Sequence, residues 1–173
     1  MRRILLNDDN LQEEDLDFEV IRVKGLIINS TGDILIAHNN GTYQFPGGHK
    51  EDDENLDDCL EREIREETGI SVTSNGPFMQ ITTYDSNYFN QNKKVCNKIY
   101  YYVLRTDDKP NYAETHYDEL ECQTDFNLFY ISIRELRNFL KRAMEERNLD
   151  EKIGREMLLV LDEYNNLYGD EAK

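Results

Sequence analysis

Basic residues are scarce in this chain of 173 residues: 20 lysines and arginines stand against 36 aspartates and glutamates, a formal charge of −16. Neutralising nucleic acid phosphates or settling on an anionic membrane takes an excess of Lys and Arg, so neither a nucleic acid polymer nor a membrane is an expected partner. A small phosphorylated substrate stays open, because a bound divalent cation reverses the local sign. Long apolar runs are missing too. None reaches the ~18–20 residues of a membrane span, and the opening MRRILLNDDNLQEED turns acidic before a signal-peptide core forms, so a cytoplasmic protein is expected. Cysteine is sparse: Cys59, Cys96 and Cys122 lie far apart without a CxxC spacing, which argues against a disulfide framework and against a zinc site.

What remains is enough for a folded domain. The chain is 38% hydrophobic and 10% aromatic, too rich in Tyr and Phe for a disordered segment, and its length suits one core. Residues 1–19 read as an acidic N-terminal extension whose stub at Ile4 to Leu6 is either an edge strand or loose, and residues 20–173 read as a single domain. VIRVKGLIIN and DILIAH, joined by the turn Thr31-Gly32-Asp33, predict a hairpin. Pro46, Gly47 and Gly48 then force a loop. A helix is expected over Glu54 to Thr68, closed by Gly69. Strands are expected at Ile70 to Val72, Phe78 to Tyr84, KVCNKIYYYVLRT and Leu128 to Ser132, with an acidic, aromatic loop from Asp107 to Asp125. Helices follow from Ser132 to about Arg147 and from Asp150 to Tyr168. Strands and helices mix without a βαβαβ cadence, which predicts an α+β fold.

The helix from Glu54 to Thr68 places acids where a core should be. At about 100° per residue with Glu63 at zero, Leu56, Leu60, Ile64 and Cys59 mark an apolar stripe between about −40° and +100°. Glu63 and Glu67 fall inside that stripe and Glu66 on its border, while Asp58, Glu61 and Arg65 take the opposite side. The plain reading of EREIREE is a solvated charged face, and it predicts the wrong side. A half-buried carboxylate needs a partner, and three converging carboxylates call for more than one arginine; a hard divalent cation with oxygen ligands is the economical answer. An ion pair between Arg62 and Glu54 requires the loop to bend toward the helix start. The bare backbone of the Pro46-Gly47-Gly48 loop is able to come close to the acids.

These residues resemble the signature of the Nudix, or MutT-like, hydrolase family: Gly, five residues, Glu, seven residues, then Arg-Glu-apolar-x-Glu-Glu-x-Gly-apolar. The chain has Gly48, Glu54 and Arg62-Glu63-Ile64-Arg65-Glu66-Glu67-Thr68-Gly69-Ile70, with no departure at any signature position. The resemblance implies the Nudix fold, an α/β/α sandwich around a mixed β-sheet, here with an extra C-terminal helix. It implies hydrolysis of the pyrophosphate link between a nucleoside diphosphate and another moiety, with Mg²⁺ or Mn²⁺ as cofactor. On that basis Glu63, Glu66 and Glu67 hold metal together with the Gly48 carbonyl, Arg62 orients the carboxylates, and Glu54 pairs with Arg62. The proton acceptor is a box glutamate or one beyond the box, where Glu114, Glu119 and Glu121 stand and where the alternative is a solvated loop acid.

The substrate is less legible. Members that prefer ADP-ribose carry a proline past the box where this chain reads Asp85-Ser86, and Tyr88 stands where diadenosine polyphosphate hydrolases carry a tyrosine. Tyr84, Tyr88 and Phe89 are candidates to stack a nucleobase, against the alternative of strand packing. His38, His49 and His116 share no ligand spacing, and Cys59 reads as core filler. The apolar stripe of the last helix, Ile153, Met157, Leu158, Leu161 and Tyr164, either caps the domain or meets a second subunit in a homodimer. Three other functions compete. A non-catalytic Nudix-fold nucleotide sensor would be expected to lose box carboxylates, an isopentenyl diphosphate isomerase would want a tryptophan that is absent, and DDENLDD lacks the glycine of an EF-hand loop.

Overall fold

The runs FEVIRVKGLII and VCNKIYYYVLR become the two longest strands, β2 (Phe18–Ile28) and β6 (Val95–Arg105), paired in parallel from Phe18 against Val95 to Ile28 against Arg105. Their β-branched and aromatic side chains suit a pleated surface covered on both faces, and these two strands form the centre of the sheet. This computed structural model describes residues 1–39, 41–88, 91–116 and 126–169. Around the central pair lie β1 (Arg2–Leu6), β3 (Asp33–Asn39), β4 (Thr42–Gln44), β5 (Met79–Asp85) and β7 (Asn127–Ser132). Strand order is β1-β5-β6-β2-β3-β4, with β7 on the far side of β3. The β1–β5 and β2–β6 pairs are parallel and the others antiparallel, so the sheet is mixed, as expected. The stub at Ile4 to Leu6 is the edge strand.

Helices α1 (Leu56–Thr68), α2 (Ile133–Glu145) and α3 (Glu151–Tyr168) complete an α/β/α sandwich with the extra C-terminal helix. Alternation along the strands sorts the two faces. Val23, Ile27, Tyr102 and Leu104 meet Leu60 and Ile64 of α1 on one face; Leu26, Ile81, Ile99 and Tyr101 meet Leu136, Leu140, Met157 and Leu161 of α2 and α3 on the other. The stripe on α3 is thereby buried within the chain, so it caps the domain. Among the described residues, no helix is long and apolar enough to cross a membrane.

Three local expectations change. Helix α1 begins at Leu56 rather than Glu54, because Asn55 stays extended and its side chain accepts the Asp57 and Asp58 amides at 2.9 and 3.0 Å. It ends as expected on Gly69, at φ +68°. Ile70 to Val72 is not a strand: Ile70 is buried against α1 as irregular chain, and Ser74 ties the segment back through Glu61 and Asp57. The apolar letters there record burial, not a ladder. The third change matters most for the site. The β2–β3 hairpin is paired only at its tip, Ile28 against Ile34, after which β3 leaves to pair with β7 and β4.

If α3 is integral to the core, Leu161→Ala, at a side chain only 1% exposed, should cost about 2–5 kcal/mol in urea denaturation. A cost under about 1 kcal/mol would mean that α3 stands off from the domain.

Candidate active site

The gap left where β3 departs from β2 is filled by residues 46–50. This strap runs beside β2 and is held by backbone bonds from Gly25 N to Pro46 O (2.8 Å), Val23 N to Gly48 O (3.0 Å) and Lys50 N to Ile21 O (2.9 Å). Glycine is required at its centre. Gly47 sits at φ +126°, and a Cβ there would strike the Val23 carbonyl; a Cβ on Gly48 would overlap the Glu63 carboxylate. Both polar groups of Gly47 are taken by side chains from different elements. Its N–H donates to Glu67 Oε2 at 2.7 Å, and its carbonyl accepts from Lys24 Nζ at 2.6 Å, which also reaches Gln44 Oε1 at 3.0 Å.

Glu67 is 3% exposed, as its place on the apolar stripe predicted. Lys24 is also buried, and its pKa is pushed down by that burial, with the Glu67 charge opposing the shift. Sequence reading missed Lys24. The signal was present, since a lysine in the middle of VIRVKGLII lies on the same strand face as the buried Leu26.

Arg62 collects the remaining acids. Its Nε and Nη2 grip Glu54 at 3.0 and 2.6 Å, Nη1 reaches Glu63 and Glu66 at 2.9 Å each, and Nη2 also donates to the His49 carbonyl at 3.1 Å. The Arg62 bond holds the Glu54 carboxyl down at about 2, against an ordinary 4.5. Burial lifts Glu63 above its ordinary range despite Arg62. Cys59 packs beneath, and desolvation raises its thiol pKa, so it is inert filler as expected.

Glu63 and Glu66 thus turn to Arg62 while Glu67 turns to the strap. Among the described residues, no group of three His, Cys, Asp or Glu side chains stands ready as it is to hold a metal ion. The donor set still fits a hard divalent cation. It consists of carboxylate oxygens beside the Gly48 carbonyl, which has given one lone pair to Val23, and the glycine leaves the approach to Glu63 bare.

The family model of the NUDIX domain matches residues 20–152. This chain belongs to the NUDIX family. Two solved NUDIX-type structures share the fold. The MutT protein of Methanosarcina mazei Go1 is 22% identical, with 85% of this chain and 95% of that one covered and a TM-score of 0.53. A NUDIX hydrolase of Nitrosomonas europaea is 14% identical, with 85% and 88% covered and a TM-score of 0.58. A curated relative, an 8-oxo-dGTP diphosphatase of Proteus vulgaris, is 40% identical over 55 residues, 28% of this chain and 49% of that protein. The chain therefore spans about half the length of the curated relative it matches.

The other candidate residues fall out differently. Tyr88 lies on the α3 side, where its hydroxyl accepts from Arg22 Nη2 at 3.0 Å. Tyr84, near the end of β5, is paired with Cys96 and lies near Glu13, Lys98 and Glu19. Phe89, Glu119 and Glu121 lie outside the described residues. Glu114 accepts from Asn111 Nδ2 at 3.1 Å within its own exposed loop. That loop is docked on the end of α1, with Asn111 N bonded to Thr68 O and His116 N to Glu66 O at 2.9 Å each. His49 accepts at Nε2 from Arg22 Nε at 3.0 Å.

The Glu54 shift has a signed consequence. A carboxyl held low in the fold contributes stability that is present above its unfolded pKa and lost as pH falls through the folded one. Thermal melts should therefore show Glu54→Gln less stable than the parent at pH 7, with the gap closing between pH 4.5 and about 2. A gap independent of pH would mean that the Arg62–Glu54 pair does not act through charge.

Proposed function

We propose that the chain is a metal-dependent pyrophosphohydrolase that cleaves the pyrophosphate link of a nucleoside diphosphate joined to another moiety. The observation that carries this reading is the set of box carboxylates on α1, intact and gathered against a bare glycine strap by a single arginine. The 8-oxo-dGTP diphosphatase relative supports a nucleotide substrate and makes 8-oxo-dGTP the first compound to assay.

Glu63, Glu66 and Glu67, with the Gly48 carbonyl, would hold Mg²⁺ or Mn²⁺. When bound, such an ion offsets diphosphate charge and makes water more acidic. Arg62 keeps Glu63 and Glu66 in register, with Glu54 fixing the guanidinium from behind. Lys24 and Glu67 fix the strap, so the Gly48 backbone keeps its place beside Glu63. Water attacks phosphorus, its oxygen forms the new P–O bond, the bridging P–O bond breaks, and the proton passes to a carboxylate. Glu63 and Glu66 are acceptors within the box. Glu119 and Glu121, outside the described residues, are the alternatives beyond the box. Both products carry phosphate.

Hydrolysis of 8-oxo-dGTP, other nucleoside triphosphates, dinucleoside polyphosphates, ADP-ribose, NADH and nucleotide sugars with Mg²⁺ tests the reading. Glu67→Gln keeps an oxygen for the Gly47 N–H and should fold, yet lose turnover by about 10²-fold or more. An unchanged rate would sink the metal-site assignment. Mg²⁺ at about a hundredfold excess over its Kd should raise the parent's Tm by about 5 °C or more. Identical melts in Mg²⁺ and EDTA would count against it. Silence across the panel, with tight binding of one member, would favour a sensor.

A further inference from the structure

On the face of the sheet opposite α1, the first turns of α3 stand over β1, β5 and β6 and leave a cavity of about 490 Å³, within the range of small-molecule sites. Tyr88, Ile99 and Ile153 line it, and Arg22 joins it to the strap through His49. Lys24, the next residue on that face of β2, holds the Gly47 carbonyl, so the cavity and the acidic cluster share a border. Charges around its mouth are matched: Arg155 pairs with Asp8 at 2.5 Å and Lys152 with Asp85 at 3.8 Å.

Two acceptors in the wall stand apart from those pairs. Asn97 is 8% exposed; its Nδ2 donates to Thr83 Oγ1 at 3.3 Å, while its Oδ1 has no hydrogen-bond partner among the described residues. Buried acceptors are rarely left so, and one in a cavity wall marks a place for a donor from a ligand. Glu156 reaches the same cavity from α3, with the Tyr101 hydroxyl donating to one of its oxygens.

Resting on the hydrolase reading above, we propose that this cavity takes the nucleobase of the substrate and that Asn97 Oδ1, with the Glu156 carboxylate, reads the base by accepting its N–H groups. These two acceptors favour the base richest in N–H donors on one edge, while Arg22, Lys152 and Arg155 of the lining are engaged with His49, Tyr88, Asp85 and Asp8. Guanine, with a ring N–H beside an amino group, meets that condition better than adenine, which has the amino group alone, and a site built to bond such donors rejects a ligand that lacks them. The Tyr88 ring, Ile99 and Ile153 supply apolar surface for the base. Asn97 is thereby a specificity-determining residue on a strand that the signature motif does not touch.

The test is calorimetric binding of GMP, AMP and ribose 5-phosphate to the full chain in EDTA, where no turnover occurs. GMP should bind at least about tenfold more tightly than AMP or the base-free phosphate. Asn97→Leu should bring GMP down to the AMP level and leave AMP unchanged. Equal binding of GMP and AMP by the parent overturns the proposal, and an intact GMP preference in Asn97→Leu overturns the role of Asn97. Should Asn97→Leu fail to melt cooperatively, Asn97→Asp decides, since it keeps an acceptor oxygen: retention of the preference supports the proposal and its loss refutes it. The two readings fail separately. A GMP preference without hydrolysis of any compound would remove the hydrolase and leave the base site, whereas hydrolysis with equal binding of both bases would do the reverse.

Discussion

One guanidinium sets the terms for the whole site. Arg62 bonds three carboxylates and a backbone carbonyl at once, and each of those groups sits where water is thinned by α1, the strap and the sheet. A partly buried carboxylate without such a partner would neutralise or push its neighbours apart. One positive charge among three negative ones does not close the balance, so the cluster keeps a surplus of negative charge. The rigid planar fork of arginine holds this geometry where the single charge point of a lysine would not.

The second constraint is the early parting of β2 and β3. Had the hairpin stayed paired along its length, the upper edge of β2 would have been covered and the glycine strap would have had no backbone partners. Its pairing at the tip alone turns the strap into a substitute strand. Lys24 and Glu67 then secure Gly47 from two different elements, which fixes the loop that faces the acids.

Much of this could be read from the sequence, for definable reasons. Helix α1, its glycine end, both later helices and the central strands follow from periodicity and caps, which are local. The inward position of Glu67 followed from helical angle alone. The strand expected at Ile70 to Val72 failed because three apolar letters record burial without recording what they pair with. The extent of hairpin pairing was invisible because it depends on β7, far along the chain. The same holds at the site: the acids of α1 share one helix and could be placed from their spacing, whereas Arg22, Lys24 and Asn97 come together only through the register of β2 and β6.

Nearly all of α3 lies beyond the stretch matched by the family model, which ends at residue 152, yet Ile153 and Glu156 of that helix stand in the wall of the cavity beside the strap. The charge machinery and the surface that closes over the sheet therefore belong to separate segments of the chain. Met157 and Leu161 of that helix are core and hold it in place, whereas the partly buried Ile153 in its first turn shapes the space beneath it at a distance from Arg62 and its acids.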